Sequence, residues 1–255
     1  MKLIKTAAIT TIAVLAPGLA SAAFPDVVTS GAKNVVLVTG AHVDGSSWRS
    51  MHDQLWIKGY KITVVQQPHT SLDDDVAAAR AAIDSQDGPV VLVGHDSAGA
   101  VITIAGASDK VKALVYVAAV QPDLGESAAQ LAASKPLPDS AILTSRDGHL
   151  SIDAAKFRDV YAADLPPNRT NFMAASQAPV ARAALDAPVW AAAWRSKPSY
   201  AVVATDDRFL NPDLQRWMYK RAGAKVTEIK ASHALQLSRP EAVAEVVVQA
   251  ALSVK

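Results

Sequence analysis

Short apolar runs alternate with longer stretches of helical periodicity along most of the chain. The runs are rich in β-branched residues, which is typical of buried strands. One intervening stretch is alanine-rich and carries Asp73, Asp74 and Asp75 in its first turn, which favours a helix start. The pattern predicts strands at residues 35–38, 61–65, 90–93, 113–117, 201–204 and 226–229, and helices at 72–83, 99–107, 212–222 and 240–254. This alternation predicts an α/β fold, in which helices cover both faces of a parallel sheet.

The pattern changes between residues 121 and 197. This stretch contains seven prolines, scattered alanine-rich helical segments and no clear strand. Because it separates two strand-bearing halves, we predict that it is a cap inserted over the carboxyl edge of the sheet. Residues 23–255 would then form one α/β domain that carries this insertion.

The N-terminal segment has the features of a secretory signal. Lys2 and Lys5 precede an apolar run that extends to about Leu15, and a small-x-small cleavage pattern, Ala20-Ser21-Ala22, follows. The run is too short to span a membrane. We therefore expect residues 1–22 to be removed before Ala23, and the mature chain to be secreted or periplasmic, without a membrane span.

The composition limits the classes of ligand. Half of the 255 residues are hydrophobic, the formal net charge is +1, and there is no cysteine. No basic patch indicates nucleic acid or an acidic membrane surface. His52, His69 and His149 lack the spacing of a metal site, and no phosphate loop or dinucleotide fingerprint occurs. We expect a small neutral or weakly charged organic substrate, and neither a cofactor nor a metal.

Three polar clusters directly follow predicted strands. They are Gly-His-Asp-Ser-Ala-Gly at 94–99, Thr-Asp-Asp-Arg at 205–208 and Ala-Ser-His-Ala at 231–234. Ligands of open α/β sheets bind at the carboxyl ends of the strands. A tight strand-to-helix turn needs small residues around its apex, and Gly94, Ala98 and Gly99 supply them. The order nucleophile, acid, histidine is the chain order of α/β-hydrolases.

With the stretches 36–41, 44–48, 203–214 and 232–240, these motifs resemble the α/β-hydrolase superfamily. They are most similar to its small branch of plant methyl-ester esterases, hydroxynitrile lyases and bacterial esterase-like proteins. The resemblance covers nearly the whole mature chain and implies a mostly parallel sheet flanked by helices, with a small helical cap. That branch usually has Gly-His-Ser-x-Gly-Gly at the turn, whereas Asp96 stands at the serine position here. The His-Gly of its oxyanion loop is Thr39-Gly40 in this chain.

An aspartate at the apex resembles haloalkane and haloacetate dehalogenases and soluble epoxide hydrolases. This resemblance implies that Asp96 attacks an electrophilic carbon of an epoxide or haloalkane and forms a covalent ester. His233, oriented by Asp207, would activate the water that hydrolyses the ester. The backbone N–H groups of Ala41 and Ser97 would stabilise the oxyanion.

The residues around the leaving group match neither subfamily. Haloalkane dehalogenases usually have tryptophan where Ser97 stands. Epoxide hydrolases use cap tyrosines, for which Tyr161 is the candidate. Trp190 and Trp194 are four residues apart and would share a helix face, as cap packing or as pocket wall. The predicted substrate pocket contains Thr39, His42, Tyr161, Trp190 and Trp194.

Other interpretations of these residues stay open. Asp96 could replace the serine of an esterase-like protein that binds a ligand with weak or no turnover. Asp96 or His233 could instead act as the base of a lyase. Ser97 could attack after a one-residue shift, although His95 would then occupy a position where glycine is usual. Asp206 competes with Asp207 for the acid role.

Overall fold

The computed structural model describes residues 30–138 and 141–254. The predicted signal segment, residues 1–22, lies outside the described residues. The described strands are β1 (Asn34–Val38), β2 (Lys61–Val65), β3 (Val90–His95), β4 (Val111–Val117), β5 (Ile142–Thr144), β6 (His149–Ile152), β7 (Val180–Ala181), β8 (Ser199–Ala204) and β9 (Lys225–Ile229). The described α-helices are α1 (Arg49–Trp56), α2 (Leu72–Asp84), α3 (Ala98–Ala105), α4 (Ala128–Ser134), α5 (Phe157–Tyr161), α6 (Pro167–Ala175), α7 (Arg182–Asp186), α8 (Pro212–Arg221), α9 (Leu235–Ser238) and α10 (Pro240–Leu252).

Six of the strands form one parallel sheet in the order β2-β1-β3-β4-β8-β9. Side chains of successive strand residues point to opposite faces. Val36 and Val38 of β1 pack with α2, α3 and α8, whereas Val35 and Leu37 pack with α1 and α10. Both faces of the sheet are therefore covered, and the expected α/β-hydrolase arrangement is confirmed.

The predicted strands and helices of the sheet domain agree with the structure to within two residues at each end. Local chemistry accounts for this agreement. Ser71 caps α2, since its side chain accepts a hydrogen bond from the Asp74 backbone N–H. Asn211 caps α8 in the same way, and Pro212 occupies the first turn of that helix.

Within the segment 121–197, the described residues form four α-helices, α4 to α7, and a small antiparallel sheet of β5, β6 and β7. The expectation of no clear strand in this segment was wrong. Each of these strands has only two to four residues, which is too short for an alternating pattern to be recognised. Phe157 and Tyr161 of α5 pack against Val43, Ala234 and Leu237 of the sheet domain, so the segment is joined to it by a buried apolar contact.

No helix among the described residues is both long and apolar enough to cross a membrane.

Candidate active site

Asp96 lies at the apex of the turn between β3 and α3. Its φ angle is +54°, an uncommon value for a residue with a side chain. Small neighbours permit this turn, because a Cβ atom on Gly99 would lie 1.7 Å from the Val120 carbonyl oxygen, and one on Gly94 would lie 3.0 Å from the Ala98 oxygen. The close packing holds Asp96 in a strained conformation, as is common at functional sites.

Asp96, His233 and Asp207 come together at the carboxyl edge of the sheet. His233 Nε2 lies 3.6 Å from Asp96 Oδ1, and His233 Nδ1 lies 2.7 Å from Asp207 Oδ2. The second distance is a hydrogen bond and the first is slightly longer than one. Asp206, the competing acid, is exposed, so Asp207 is the carboxylate that orients the imidazole.

Besides His233, three donors among the described residues hold the Asp207 carboxylate. The backbone N–H groups of Phe209 and Leu210 donate to Oδ1 at 2.8 and 2.9 Å, and Gln215 Nε2 donates to Oδ2 at 2.8 Å. Gln215 is fully buried on α8. Sequence reasoning missed it, although a glutamine on the buried face of a helix is the signal that could have found it, since buried polar groups need partners.

The predicted oxyanion donors face the Asp96 carboxylate. A Cβ atom on Gly40 would lie 3.2 Å from Asp96 Oδ2, so the loop between β1 and α1 passes directly against this oxygen. The backbone N–H groups of Ser97 and Ala41 lower the pKa of this carboxyl group, against the larger effect of burial. The Ala41 N–H donates a hydrogen bond to the Ser97 hydroxyl oxygen at 2.9 Å.

Burial and neighbouring charges shift the pKa values of the ionisable groups in the site. Burial raises the pKa of Asp96 to about 6, although the nearby His233 partly offsets this effect. Burial lowers the pKa of His233, but the carboxylates of Asp207 and Asp96 outweigh it and leave that pKa above its ordinary value. Burial, together with His69 and His233, lowers the pKa of His42 to about 4. At neutral pH Asp96 is therefore mostly ionised and His42 is neutral.

A cavity of about 170 Å³ opens onto Asp96. Its polar residues are Asp96, Ser97 and His42, and its other walls are apolar. The apolar lining consists of Ala41, Val120, Ala128, Ala129, Ala132, Ile142, Leu150, Leu185, Phe209 and Leu210. Another cavity, of about 180 Å³, lies between Val43 and α6 and does not reach the triad. The cavity at Asp96 is suited to a small, mostly apolar molecule.

Among the described residues, no group of three or more His, Cys, Asp or Glu side chains could hold a metal ion.

Four of the five predicted pocket residues do not line this cavity. The buried Thr39 hydroxyl donates to the Val65 carbonyl oxygen at 3.2 Å. Tyr161 is fully buried, with its ring centroid 4.7 Å from that of His233. Trp194 Nε1 donates to the Pro122 carbonyl oxygen at 2.8 Å, and Trp190 is half exposed beside α2.

The two tryptophans do not share a helix face, because the structure has no α-helix at that point. Trp194 lies in the 3-10 helix Ala193–Arg195, and Trp190 precedes this helix. The spacing of four residues therefore does not bring the rings together. His42 is the predicted pocket residue that lines the cavity.

The loop that carries His233 is held by hydrogen bonds on two sides. The Tyr161 carbonyl oxygen accepts a hydrogen bond from the Ala234 N–H at 3.0 Å. The Asp164 carboxylate accepts hydrogen bonds from the N–H and the hydroxyl of Ser232. On the other side, His95 Nε2 lies 3.0 Å from the His233 carbonyl oxygen. Sequence reasoning missed Asp164, because it is 68 residues away from its partner.

Comparison with known proteins gives relatives over nearly the whole chain. Residues 13–246 match the family model described as "Alpha/beta hydrolase family". The chain is also similar to "Alpha/beta hydrolase nvfD" of Aspergillus novofumigatus, with 28% identity over 243 residues, covering 85% of this chain and 96% of that protein.

Two solved structures share the fold. Polyneuridine aldehyde esterase superposes with a TM-score of 0.75 at 20% identity, covering 85% of this chain and 98% of that one. A pyrethroid hydrolase from Sphingobium faniae JZ-2 superposes with a TM-score of 0.74 at 22% identity, covering 87% and 98%. At these sequence identities the similarity shows a shared fold, and the chemistry depends on the residues of the site.

Proposed function

The chain belongs to the alpha/beta hydrolase family and is a hydrolase, and we propose that Asp96 is its nucleophile. The substrate is a small, uncharged organic molecule with an electrophilic carbon, of the epoxide or haloalkane class. The reaction passes through a covalent ester on Asp96, needs no cofactor, and takes place in a protein secreted or exported to the periplasm.

One observation carries this proposal: the Asp96 carboxylate lies at the apex of the turn, between His233 and the oxyanion loop, on an apolar cavity. Ser97 is less suited to attack. Its hydroxyl oxygen accepts the Ala41 N–H, and among the described residues it has no hydrogen bond to His233. A serine nucleophile needs such a base, whereas an ionised carboxylate does not.

In the first step an oxygen of Asp96 attacks the electrophilic carbon. A carbon–oxygen bond forms, and the bond to the leaving group breaks with its electron pair. The apolar walls hold the substrate close to the carboxylate, which lowers the entropic part of the barrier.

Because Asp96 must be ionised, the rate of ester formation should rise with pH through a midpoint of about 6 and level off above it. Rapid-quench measurement of ester formation would test this dependence.

In the second step water attacks the carbonyl carbon of the ester. His233 Nε2 takes the proton from this water, and Asp207 stabilises the imidazolium that forms. His233 Nε2 is buried and, among the described residues, makes no hydrogen bond, so it is available for that water. The Ala41 and Ser97 N–H groups stabilise the oxyanion. Its collapse releases the alcohol and restores the Asp96 carboxylate.

The test is to trap the ester. His233→Ala should block water activation, so that incubation with a panel of small epoxides and haloalkanes leaves an adduct that peptide mass spectrometry maps to Asp96. His52→Ala is the matched control, because His52 lies on α1 away from the site, and it should turn over without accumulating an adduct. Adding Asp96→Ala to His233→Ala should abolish labelling. An adduct on Ser97 would overturn the proposal.

A second candidate is an esterase-like protein whose serine has been replaced by Asp96. The esterase named among the similar structures favours it, and the comparisons are equally compatible with both candidates. It predicts that the folded His233→Ala variant binds panel compounds without labelling, and that Asp96→Ser gains activity on a small acetate ester. Turnover without any adduct would instead favour lyase-type chemistry.

A further inference from the structure

We propose that the Ser97 hydroxyl occupies one of the two donors of the oxyanion site and thereby slows hydrolysis of the Asp96 ester. The donor is the Ala41 N–H, which the hydroxyl releases only when the oxyanion forms. Ser97 is then a positioning residue that acts through Ala41 and does not touch the leaving group. This inference rests on the proposed function, since it takes the ester on Asp96 as the intermediate.

The Ala41 N–H is directed at the Ser97 side chain. It donates to the Ser97 hydroxyl oxygen at 2.9 Å, across 56 positions of the chain, which is an ordinary hydrogen-bond length. The same N–H lowers the pKa of Asp96, so it lies close to that carboxylate as well. A single N–H makes one well-aligned hydrogen bond, and in this structure the Ser97 oxygen accepts it.

The oxyanion of the second step would form against this same N–H. A Cβ atom on Gly40 would lie 3.2 Å from Asp96 Oδ2, so the chain directly before Ala41 passes against one of the two carboxylate oxygens. One of these two oxygens becomes the carbonyl oxygen of the ester and then the oxyanion. An oxyanion that takes the Ala41 N–H therefore has to displace the Ser97 hydroxyl.

The charge on the acceptor decides when this exchange takes place. The carbonyl oxygen of the ester is uncharged, as the Ser97 hydroxyl oxygen is, and gains little by displacing it. The oxyanion is charged and forms a hydrogen bond about twice as strong. The bond from Ala41 to Ser97 is thus present in the ester and lost in the transition state for water attack. An interaction that is stronger in the ground state than in the transition state raises the barrier.

The Ser97 side chain is able to turn away from Ala41. It makes no capping hydrogen bond to the first turn of α3, and among the described residues the Ala41 N–H is the hydrogen-bond partner of its hydroxyl. Ser97 is partly exposed and lines the cavity, so a change of its χ1 rotamer can release the N–H. The exchange changes no covalent bond, and it costs one hydrogen bond, which corresponds to a factor of about three to ten in rate.

Removal of the hydroxyl should accelerate the second step. The probes are 1-bromobutane and 1,2-epoxybutane, and rapid quench with peptide mass spectrometry follows the rise and decay of the Asp96 adduct in enzymes that retain His233. Ser97→Ala should speed the decay about three- to tenfold, and should change the rate of the rise much less. Its thermal unfolding temperature should fall, because the buried Ala41 N–H loses its acceptor.

Two further variants serve as controls. Ser97→Thr retains a hydroxyl and should restore the slow decay of the adduct. Ser46→Ala removes an exposed hydroxyl from the loop that follows Ala41, and it should change neither rate. Faster hydrolysis of the ester in a less stable variant is a combination that a merely structural role of Ser97 would not produce.

The outcomes separate this inference from the proposed function. An unchanged or slower decay in Ser97→Ala, with formation of the Asp96 adduct intact, would overturn the inference and leave the proposed function standing. A slower decay that Ser97→Thr restores would show that the hydroxyl donates to the oxyanion instead of competing with it. Absence of an Asp96 adduct in the folded His233→Ala variant, with both probes and with the wider panel, would remove the proposed function and this inference with it.

Discussion

A carboxylate at the apex of the turn changes the task of the histidine. A serine hydroxyl would need His233 to remove its proton before attack, whereas the Asp96 carboxylate is mostly ionised at neutral pH. In the proposed mechanism His233 therefore acts only on water. At the scale of single residues, the chemistry follows from which groups are charged and which hydrogen bonds they can make.

The buried charge of Asp96 should lower the stability of the fold. Its pKa is raised from 3.8 to about 6, so the folded state binds this proton more tightly than the unfolded state. The stabilisation that comes from binding this proton in the folded state is fully present below the ordinary pKa of 3.8. It is lost as pH rises through about 6. We expect Asp96→Asn to increase the free energy of unfolding by about 1–3 kcal/mol at about pH 8, and by much less at about pH 4.

Urea denaturation of both proteins at the two pH values would check this expectation. The wild type serves as the reference at each pH. A stability difference that does not change with pH would contradict the assignment of the raised pKa to Asp96.

The hydroxyl of Tyr161 should contribute nothing to stability or to turnover. It is buried and has no hydrogen-bond partner among the described residues, while the ring packs against His233 and Phe209. Tyr161→Phe keeps the ring and removes the unpaired group, so the free energy of unfolding should stay the same or rise by about 1 kcal/mol. Turnover of a chloroalkane should be unchanged. A large loss of turnover in a stable variant would indicate that the hydroxyl acts on substrate.

At the scale of elements, the segment that follows α5 holds the loop that carries His233. Asp164 accepts two hydrogen bonds from Ser232, and the Tyr161 carbonyl oxygen accepts one from Ala234. The residues on both sides of His233 are thus tied to the inserted segment. His95 ties the same loop to the end of β3. The imidazole is positioned by elements far apart in the chain, in addition to Asp207.

Loosening this attachment should slow the hydrolysis of the ester more than its formation. Asp164→Ala removes both bonds to Ser232, and we expect the rate of ester hydrolysis to fall about tenfold, because misplacing a base by a fraction of an ångström is costly. The rate of ester formation on Asp96 should change little. Pre-steady-state measurement of the two steps would distinguish them.

Asp159→Ala is the matched control, since Asp159 is an exposed acid of α5. It should leave both rates unchanged. Equal slowing of the two steps by Asp164→Ala would mean that Asp164 supports the fold of the segment and does not position His233.

At the scale of the whole molecule, the cavity forms where the inserted segment closes over the sheet domain. Asp96, Ser97 and His42 come from the carboxyl edge of the sheet, whereas Ala128, Ala132, Ile142, Leu150 and Leu185 come from the segment 121–197. The sheet domain thus supplies the polar residues of the cavity, and the insertion supplies most of the apolar wall. In the proposed mechanism, this insertion would set the length of substrate that fits.

Leu185 on α7 is a direct way to change that length. Leu185→Ala should enlarge the cavity at a modest cost in stability, because this side chain is only partly buried. Relative to the wild type, kcat/KM for a haloalkane longer by two carbons should rise about tenfold against that for the short one. Ala183→Gly on the exposed face of the same helix is the control and should not change the ratio. An unchanged ratio in Leu185→Ala would contradict the assignment of this cavity as the substrate site.

Much of the sheet domain and the order of its reacting residues follows from the sequence by itself. The parallel strands were predictable because they are short runs rich in β-branched residues, of which the central ones are buried, and because the acids Asp73, Asp74 and Asp75 mark a helix start between two of them. Asp96, Asp207 and His233 were predictable as neighbours, because each follows a strand and the carboxyl ends of parallel strands meet at one edge. These signals lie in short stretches of sequence, so they can be recognised without knowledge of the folded structure.

Which other side chains line the cavity, and which hold Asp207 and the His233 loop, depends on the packing of the folded chain. Trp190, Trp194, Tyr161 and Thr39 were candidates by residue type, but the path of the inserted segment and the packing of the core turn them away from the cavity. Asp164 accepts hydrogen bonds from Ser232 across 68 positions of the chain, a contact that no sequence spacing indicates. The bond from Ala41 to Ser97 joins residues 56 positions apart. Contacts of this kind depend on how distant segments pack, and packing is a property of the folded molecule as a whole.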